Sequence, residues 1–192
     1  TIEQTDGNHF FIGTGSGLFR VGVEKGELKL IPDEVVKSIT TPVHELYYHA
    51  ISKQLFVGSY KEGILIYDIG QSSKITSCYS PNNVEVNQIV ALNADELLIA
   101  TGGKGVYKLD VNSCKSEPYI TADYSSYNGM NGNNINDIYV DEEERIWLAN
   151  YPTGITIRNN RYGSYDLIKH SLGNNRSLVN DQVHDVMEDS DG

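Results

Sequence analysis

The chain has 192 residues, an ordinary apolar share of 39% and a formal net charge of −11 at pH 7. This composition predicts a globular chain, and the excess of acids argues against nucleic acid or an anionic membrane surface as a partner. No run of about 18 apolar residues occurs, so the sequence predicts no membrane contact by this segment.

Along the chain, one short stretch recurs four times. An apolar run is followed by a small residue, a polar turn and a glycine. The copies read HFFIGTGSGLF from His9, QLFVGSYKEGIL from Gln54, ELLIATGGKGVY from Glu96 and ERIWLANYPTGI from Glu144. Trp147 of the last copy aligns with Phe11, Phe56 and Leu98, at intervals of 45, 42 and 49 residues. The small position holds Gly13, Gly58, Ala100 and Ala149, and the turn glycines are Gly17, Gly63, Gly105 and Gly154.

A second motif has an apolar residue, two polar residues and an apolar β-former. It begins at Val43 (VHELYY), Val86 (VNQIVAL), Ile135 (INDIYV) and Val183 (VHDVME). A period of about 40–50 residues built from strands and turns is typical of propeller blades. The alternative, a β-sandwich, would leave the recurrence of the same positions in four copies to chance. The sequence therefore predicts an all-β chain of four four-stranded antiparallel propeller units that form part of a larger propeller.

The expected units are approximately 1–42, 43–85, 86–134 and 135–182, with 183–192 as the inner strand of a further blade. The first unit is expected to lack a full inner strand apart from TIEQ. Since a blade is packed between two neighbours, its middle strands are expected to be buried on both faces. The small position is expected where the ring narrows, and the turn glycine is expected at positive φ. PDEVVKSI, from Pro32, predicts one short turn of helix.

Two stretches resemble the two-component regulator propeller repeat: NRSLVNDQVHDVMEDSDG (175–192) and ERIWLANYPTGI. Such repeats build the periplasmic sensor region of bacterial hybrid two-component sensor histidine kinases, which is followed by an Ig-like domain, a membrane span and a kinase. The resemblance implies a periplasmic fragment of such a sensor. It also implies an oligosaccharide from polysaccharide breakdown as the ligand.

The antiparallel strand order places the turns between second and third strands at one edge, together with the links between blades. Their aromatic, amide and hydroxyl groups suit stacking and hydrogen bonding to a neutral sugar, although polar loops also serve solvation alone. The candidate ligand-binding residues are Tyr60, Lys61, Tyr124, Tyr127, Asn150 and Tyr151.

The polar pairs of the inner strands predict a ring of donors and acceptors around a central channel. One member of each pair can face the channel, and a merely wet channel whose polar groups need partners is the alternative. The candidate channel-lining residues are His44, Asn87, Asn136 and His184.

Other chemistry is weakly indicated. No metal site, phosphate loop or serine nucleophile motif is visible, so the sequence predicts neither a metal nor a cofactor. Cys78 and Cys114 lack metal-site spacing and are expected to be free or structural thiols, with their pairing left open. A non-catalytic sensor is expected. A carbohydrate-active hydrolase or lyase, with acids from different blades, and a protein-interaction propeller are the alternatives.

An open array of four blades would expose two apolar faces and unpaired strand edges, which invite association. We therefore expect these edges to be covered by the chain's own termini, by a second copy in a homo-oligomer, or by further blades of the parent chain.

Overall fold

The computed structural model describes residues 1–60, 62–69, 74–77, 84–122, 129–130 and 132–189, with only the backbone described for 74–77. Strand makes up 55% and helix 2% of the structure, and the strands form four four-stranded antiparallel sheets. The prediction of an all-β chain built from propeller blades is confirmed.

In each sheet the strands are hydrogen-bonded in an order that follows the chain. The first sheet contains β1 (Ile2–Asp6), β2 (His9–Thr14), β3 (Gly17–Glu24) and β4 (Glu27–Leu30). After helix α1 (Glu34–Lys37), the second contains β5 (Val43–His49), β6 (Gln54–Ser59), β7 (Ile64–Asp68) and β8 (Lys74–Ser77). The third contains β9 (Val86–Ala91), β10 (Glu96–Thr101), β11 (Gly105–Asp110) and β12 (Lys115–Ile120). The fourth contains β13 (Ile135–Val140), β14 (Arg145–Asn150), β15 (Gly154–Asn159) and β16 (Ser164–Ile168).

The chain divides into two compact units, each with its own apolar core. The first unit is Thr1–Ile89 with Ser113–Lys115, and the second is Val90–Asn112 with Ser116–Gly192. In the first, Phe11 and Leu18 pack into one cluster with residues of the second sheet such as Leu46, Val57 and Tyr67. In the second, Leu98, Ala100 and Val106 share a cluster with Ile135, Ile138 and Leu148. β6 and β10 are buried along almost their whole length, which explains why their apolar residues do not alternate.

The two ends of the chain differ from expectation. The first sheet does have an inner strand, since β1 pairs with β2 from Ile2 to Asp6. The sequence shows no apolar pattern for this strand, because its side chains are exposed or half-buried and need not be apolar. Residues 183–189 form no strand within the described chain, and their predicted role as the inner strand of a further blade stays a prediction.

The predicted helical turn is confirmed. Asp33 caps α1, its Oδ1 accepting hydrogen bonds from the backbone N–H groups of Val35 and Val36 at 3.1 Å. Its Oδ2 accepts the Tyr67 hydroxyl at 2.7 Å, so the cap also ties the helix to the second sheet. No helix in the described part of the chain has the length and apolar character needed to cross a membrane.

The small position is explained by the inner strand of the following sheet. A Cβ added at Gly13 would lie 2.5 Å from Val43 Cγ1, and one added at Gly58 would lie 2.7 Å from Val86 Cγ1. Non-bonded carbon atoms do not approach so closely. The valine that opens the next inner strand, Val43 or Val86, therefore limits the size of the residue at the small position, Gly13 or Gly58.

Gly13→Ala is therefore expected to lower the free energy of unfolding by about 1–3 kcal/mol, because the added methyl overpacks against Val43. The Gly13→Ala/Val43→Ala double variant should lose less than the sum of the two single variants, since the second change removes the clash. Chemical denaturation of all four proteins measures this coupling. Additive losses would contradict the proposed contact.

The turn glycines have the predicted positive φ: +123° at Gly17, +69° at Gly63, +78° at Gly105 and +90° at Gly154. At Gly105 a second constraint is present, since a Cβ would lie 2.4 Å from the carbonyl oxygen of Ile120 at the end of β12. Glycine is thus required both for its backbone conformation and for the close approach of another chain segment.

The structure decides for one cysteine the pairing that the sequence left open. Cys114 is disulfide-bonded. Cys78 lies outside the described residues. The sequence could not decide this point, because two cysteines 36 residues apart do not by themselves indicate pairing.

Candidate functional site

The candidate ligand-binding edge is formed where each inner strand begins beside the turn between the second and third strands. In the second sheet the backbone N–H of Tyr60 donates to the carbonyl of Pro42 at 3.2 Å. In the fourth sheet the N–H of Tyr151 donates to the carbonyl of Asn134 at 2.9 Å. The same hydrogen bond thus positions a tyrosine at the start of the inner strand in both sheets.

In the first unit this edge brings together three side chains. The rings of Tyr60 and His44 are 5.7 Å apart between centroids, and His44 Nδ1 lies 3.0 Å from Glu85 Oε1. Tyr60 is 45% exposed, so its ring is open to a ligand while the carboxylate orients the imidazole. The sequence assigned Tyr60 to the ligand and His44 to the channel, and the structure brings the two together.

In the second unit the corresponding edge carries a similar pair. Tyr151 is 37% exposed, and its ring centroid lies 6.3 Å from that of His184. Here the tyrosine belongs to the fourth sheet and the histidine to the C-terminal segment, residues 183–189. Tyrosine and imidazole are again neighbours, although His44 precedes its tyrosine in the chain and His184, at the same place in the motif, follows its tyrosine.

Asn150 does not have the expected surface position. It is fully buried, and its Nδ2 donates to the carbonyl of Gly132 at 3.1 Å. In the equivalent position of the third sheet, Thr101 Oγ1 donates to the Gly105 carbonyl at 2.6 Å and stabilises the turn. In both sheets the polar residue at the end of the second strand is thus buried and donates to a backbone carbonyl.

The remaining predicted site residues have separate outcomes. Lys61, Tyr124 and Tyr127 lie outside the described residues. Asn136 is half-buried, and its Nδ2 donates to the Val183 carbonyl at 2.9 Å, while Asn87 is half-buried on β9. Tyr60 belongs to the first unit and Tyr151 to the second, so their predicted location on one face stays a prediction.

Next to these polar positions, the inner strands carry carboxyl groups that the sequence analysis did not single out: Glu45, which is half-buried, and Asp137, which is buried. Burial raises the pKa of Glu45 to about 7, against the lowering effect of the backbone N–H groups of Ile89 and Leu46. Burial, together with interaction of the protonated Asp137 carboxyl with the Asp185 carboxylate, raises the pKa of Asp137 to about 6. The repeat marked these positions as polar, but their burial is a tertiary property.

A cleft of about 450 Å³ lies on the fourth sheet, between Tyr139, Asp141, Arg145 and Trp147 and residues 186–189. Trp147 is half-buried, whereas the aligned Phe11, Phe56 and Leu98 are fully buried. The expectation that this column is covered on both faces thus fails at Trp147. Its ring forms one wall of an open cleft, because the C-terminal segment covers it only in part.

Asp141 is the second feature that the sequence analysis missed. Its Oδ2 accepts hydrogen bonds from Trp147 Nε1 at 2.7 Å and from Arg145 Nε at 2.6 Å. The aspartate and the tryptophan are six residues apart in a tight hairpin, and that spacing was the available clue. Within the described residues no group of three or more metal-ligating side chains is present.

Comparison with known proteins relates this geometry to one repeat family. Residues 129–151 match the sequence model of the family described as two component regulator propeller. No curated protein matches the chain.

Solved structures share the fold at low sequence identity. The chain is similar to the extracellular domain of the hybrid two component system BT4673 from B. thetaiotaomicron, with 17% identity and a TM-score of 0.75 over 96% of this chain and 24% of that one. The extracellular domain of the hybrid two component system BT3049 from the same organism is 19% identical, with a TM-score of 0.55 over 95% of this chain and 30% of that one. PorZ, a bacterial surface component of the type-IX secretion system of Porphyromonas gingivalis, is 16% identical, with a TM-score of 0.55 over 84% of this chain and 21% of that one.

The chain thus spans between a fifth and a third of the length of these structures. At such identities the likeness establishes the fold, and the sequence match to the repeat family is confined to residues 129–151. The chain therefore consists of propeller blades, and it carries a two-component regulator propeller repeat at residues 129–151.

Proposed function

We propose that this chain is part of the extracytoplasmic, ligand-sensing propeller of a two-component signalling receptor, and that its ligand is a neutral oligosaccharide. The observation that carries the proposal is the two-component regulator propeller repeat at residues 129–151. The extracellular domains of hybrid two component systems that share the fold support the same class.

The two tyrosine–histidine pairs support a sugar as the ligand. An exposed tyrosine ring offers a flat apolar surface for a pyranose ring, and an imidazole beside it offers a hydrogen-bonding group for a hydroxyl. Tyr60 with His44, and Tyr151 with His184, provide this combination. The net charge of −11 disfavours a polyanionic glycan and favours a neutral one.

A periplasmic location fits the chemistry of the chain. Disulfides persist in oxidising compartments, and Cys114 is disulfide-bonded. Further blades of a parent chain, or a second copy, would cover the apolar faces that remain open, such as the one around Phe19, Leu28 and Leu30, which are 39%, 72% and 61% exposed.

The carboxyl pair of Asp137 and Asp185 is the observation that bears on a carbohydrate-active enzyme. Glycosidase carboxyl groups stand at least about 5 Å apart, so that a sugar or a water fits between them. Direct interaction with Asp185 raises the pKa of Asp137, and such close contact does not suit a mechanism that needs a sugar or a water between the two groups. This pair is therefore a poor candidate for the catalytic acids of such an enzyme.

Titration calorimetry with a panel of neutral oligosaccharides tests the proposal. We expect saturable binding, with no new products detected by chromatography after long incubation. Tyr60→Ala and Tyr151→Ala should each weaken binding by about tenfold, as expected for the loss of a stacking ring. Tyr162→Ala, at a tyrosine that is 81% exposed in the last hairpin, is the matched control and should bind normally.

Two results would overturn the proposal. Appearance of cleaved sugars would favour the enzyme, and equal binding by the Tyr60, Tyr151 and Tyr162 variants would place the ligand elsewhere.

A further inference from the structure

β5 carries a β-bulge at its start, and His44 is the residue that the bulge leaves unpaired. Val43 pairs with Ser59 and Glu45 pairs with Gly58, so the single residue between them has no partner on β6. A bulge re-aims the side chain of its extra residue. Val43 is buried, whereas the side chain of His44 is 37% exposed. The bulge therefore directs His44 out of the core at the edge where the inner strand begins.

Glu85 reaches the same place from the start of the next inner strand. It directly precedes β9, and the residues on either side of it, Val84 and Val86, are both buried. Val86 packs so closely on Gly58 that a Cβ added there would lie 2.7 Å from its Cγ1. The two valines thus fix the backbone around Glu85, whose own side chain stays partly exposed. Glu85 Oε1 lies 3.0 Å from His44 Nδ1.

The contact between Glu85 and His44 determines which nitrogen of the imidazole carries the proton. An ionised carboxylate only accepts hydrogen bonds, so Nδ1 of His44 must donate to Glu85 Oε1. In a neutral imidazole the other nitrogen, Nε2, is then an acceptor. The ring carries this acceptor beside the exposed ring of Tyr60, with 5.7 Å between the centroids. All three residues belong to the first unit.

Two other histidines show that the tautomer is set locally in this chain. Nδ1 of His49 accepts the backbone N–H of Ser52 at 3.3 Å, so the proton of a neutral ring is on Nε2. Nδ1 of His170 lies 2.7 Å from the carbonyl oxygen of Leu178, an acceptor, so the proton is on Nδ1 as in His44. His49 and His170 are therefore reference rings for the two tautomers within one molecule.

We propose that Glu85 is a positioning residue of the edge around Tyr60: it holds His44 in the tautomer protonated on Nδ1, so that Nε2 accepts a hydrogen bond from a hydroxyl group of the sugar. A sugar offers many such donors, whereas a carboxylate or sulfate group offers acceptors only and meets the charge of Glu85 as well. The inference rests on the proposed function for the nature of the ligand, but the state of the imidazole does not depend on it.

The state of the imidazole is measured on the unliganded chain by NMR that correlates the ring nitrogens of histidine with the ring hydrogens, at about pH 8. A protonated and an unprotonated ring nitrogen have different chemical shifts, so the spectrum identifies each tautomer. His44→Gln assigns the signals of His44 by their disappearance. We expect the proton on Nδ1 in His44 and His170, and on Nε2 in His49.

Three variants separate the hydrogen bond from the charge and from the fold. Glu85→Ala removes the acceptor and should move the proton of His44 to Nε2 in a large share of the molecules. Glu85→Gln keeps an acceptor oxygen without the charge, so the wild-type tautomer should be retained. Glu62→Ala, at an exposed acid in the turn that follows Tyr60, is the matched control and should leave the spectrum of His44 unchanged.

Calorimetry with maltotriose, cellotriose and laminaritriose tests the consequence for recognition. Glu85→Ala should bind a trisaccharide that the wild type binds about two- to tenfold more weakly, as expected for the loss of one positioned hydrogen bond. Glu85→Gln and Glu62→Ala should bind it like the wild type. The spectra need no ligand, so a failure of the proposed sugar ligand and a failure of the tautomer are told apart.

The proposal is overturned if His44 of the wild type is protonated on Nε2, alone or together with Nδ1, or if Glu85→Ala leaves its tautomer unchanged. It is also overturned if Glu85→Ala changes the tautomer and yet binds the trisaccharide as tightly as the wild type. Circular dichroism establishes that each variant is folded.

Discussion

Replacing Phe11 by alanine is expected to lower the free energy of unfolding by about 3–5 kcal/mol. Phe11 is fully buried in the core of the first unit, and its ring centroid lies 5.5 Å from that of Tyr67. Alanine would leave a cavity between two sheets that only partial relaxation could fill. Chemical denaturation followed by circular dichroism measures the loss, and Phe11→Leu, which keeps most of the volume, should lose less than about 1.5 kcal/mol.

The aligned tryptophan gives the informative comparison. Trp147 occupies the same column, but it is half-buried on an open cleft, so Trp147→Ala should cost only about 1–2 kcal/mol. Equal losses for the Phe11 and Trp147 variants would mean that the cleft is closed in solution. A negligible loss at Phe11 would contradict the packing of the first two sheets.

Repetition made most of the fold predictable. Strand order and the positive φ of the turn glycines follow from residues that recur at fixed places, because each place faces the same steric demand in every sheet. Gly17 and Gly105 illustrate this, since each lies against a backbone carbonyl oxygen, that of Ile39 and that of Ile120. β1 was less visible, because a strand with largely exposed side chains bears no apolar pattern.

The candidate site was predictable only in its polar and aromatic residue types. Tyr60 and His44 were each singled out, but their contact depends on the register of β5 against β6, which pairs Val43 with Ser59. The raised pKa of Glu45 and of Asp137 follows from burial, and a sequence does not reveal burial at a polar position. The repeat pattern thus gives the positions of the polar and aromatic residues, whereas their contacts and pKa values follow only from the packed structure.

The turn that precedes the second strand recurs with an acceptor side chain. Asp6 Oδ1 accepts the N–H groups of Asn8 and His9, and Asn93 Oδ1 accepts those of Asp95 and Glu96. These bonds tighten the hairpin between the inner and second strands. Asp141 does the same for the N–H groups of Glu143 and Arg145.

Asp141 additionally binds the side chains of Trp147 and Arg145, and its own side chain is only 3% exposed. Asp141→Ala is therefore expected to lower the free energy of unfolding by about 3 kcal/mol, because it removes a buried acceptor and leaves its donors without a partner. Asp141→Asn should also destabilise the chain, since its amide nitrogen would face donors. Glu142→Gln, at the exposed neighbouring acid, is the control and should change stability by less than about 0.5 kcal/mol.

The pH dependence of Asp141→Asn tests the charge itself. Burial raises the pKa of Asp141, but the bonds from Trp147 and Arg145 outweigh it and lower the value below 3.8. A lowered pKa means that the carboxylate stabilises the fold fully above its ordinary range and loses that effect as the pH falls through the folded value. The stability difference between wild type and Asp141→Asn should thus stay constant from pH 7 to about 5 and shrink below pH 4. A difference that does not change down to pH 2 would show that the carboxylate's charge contributes nothing to the turn.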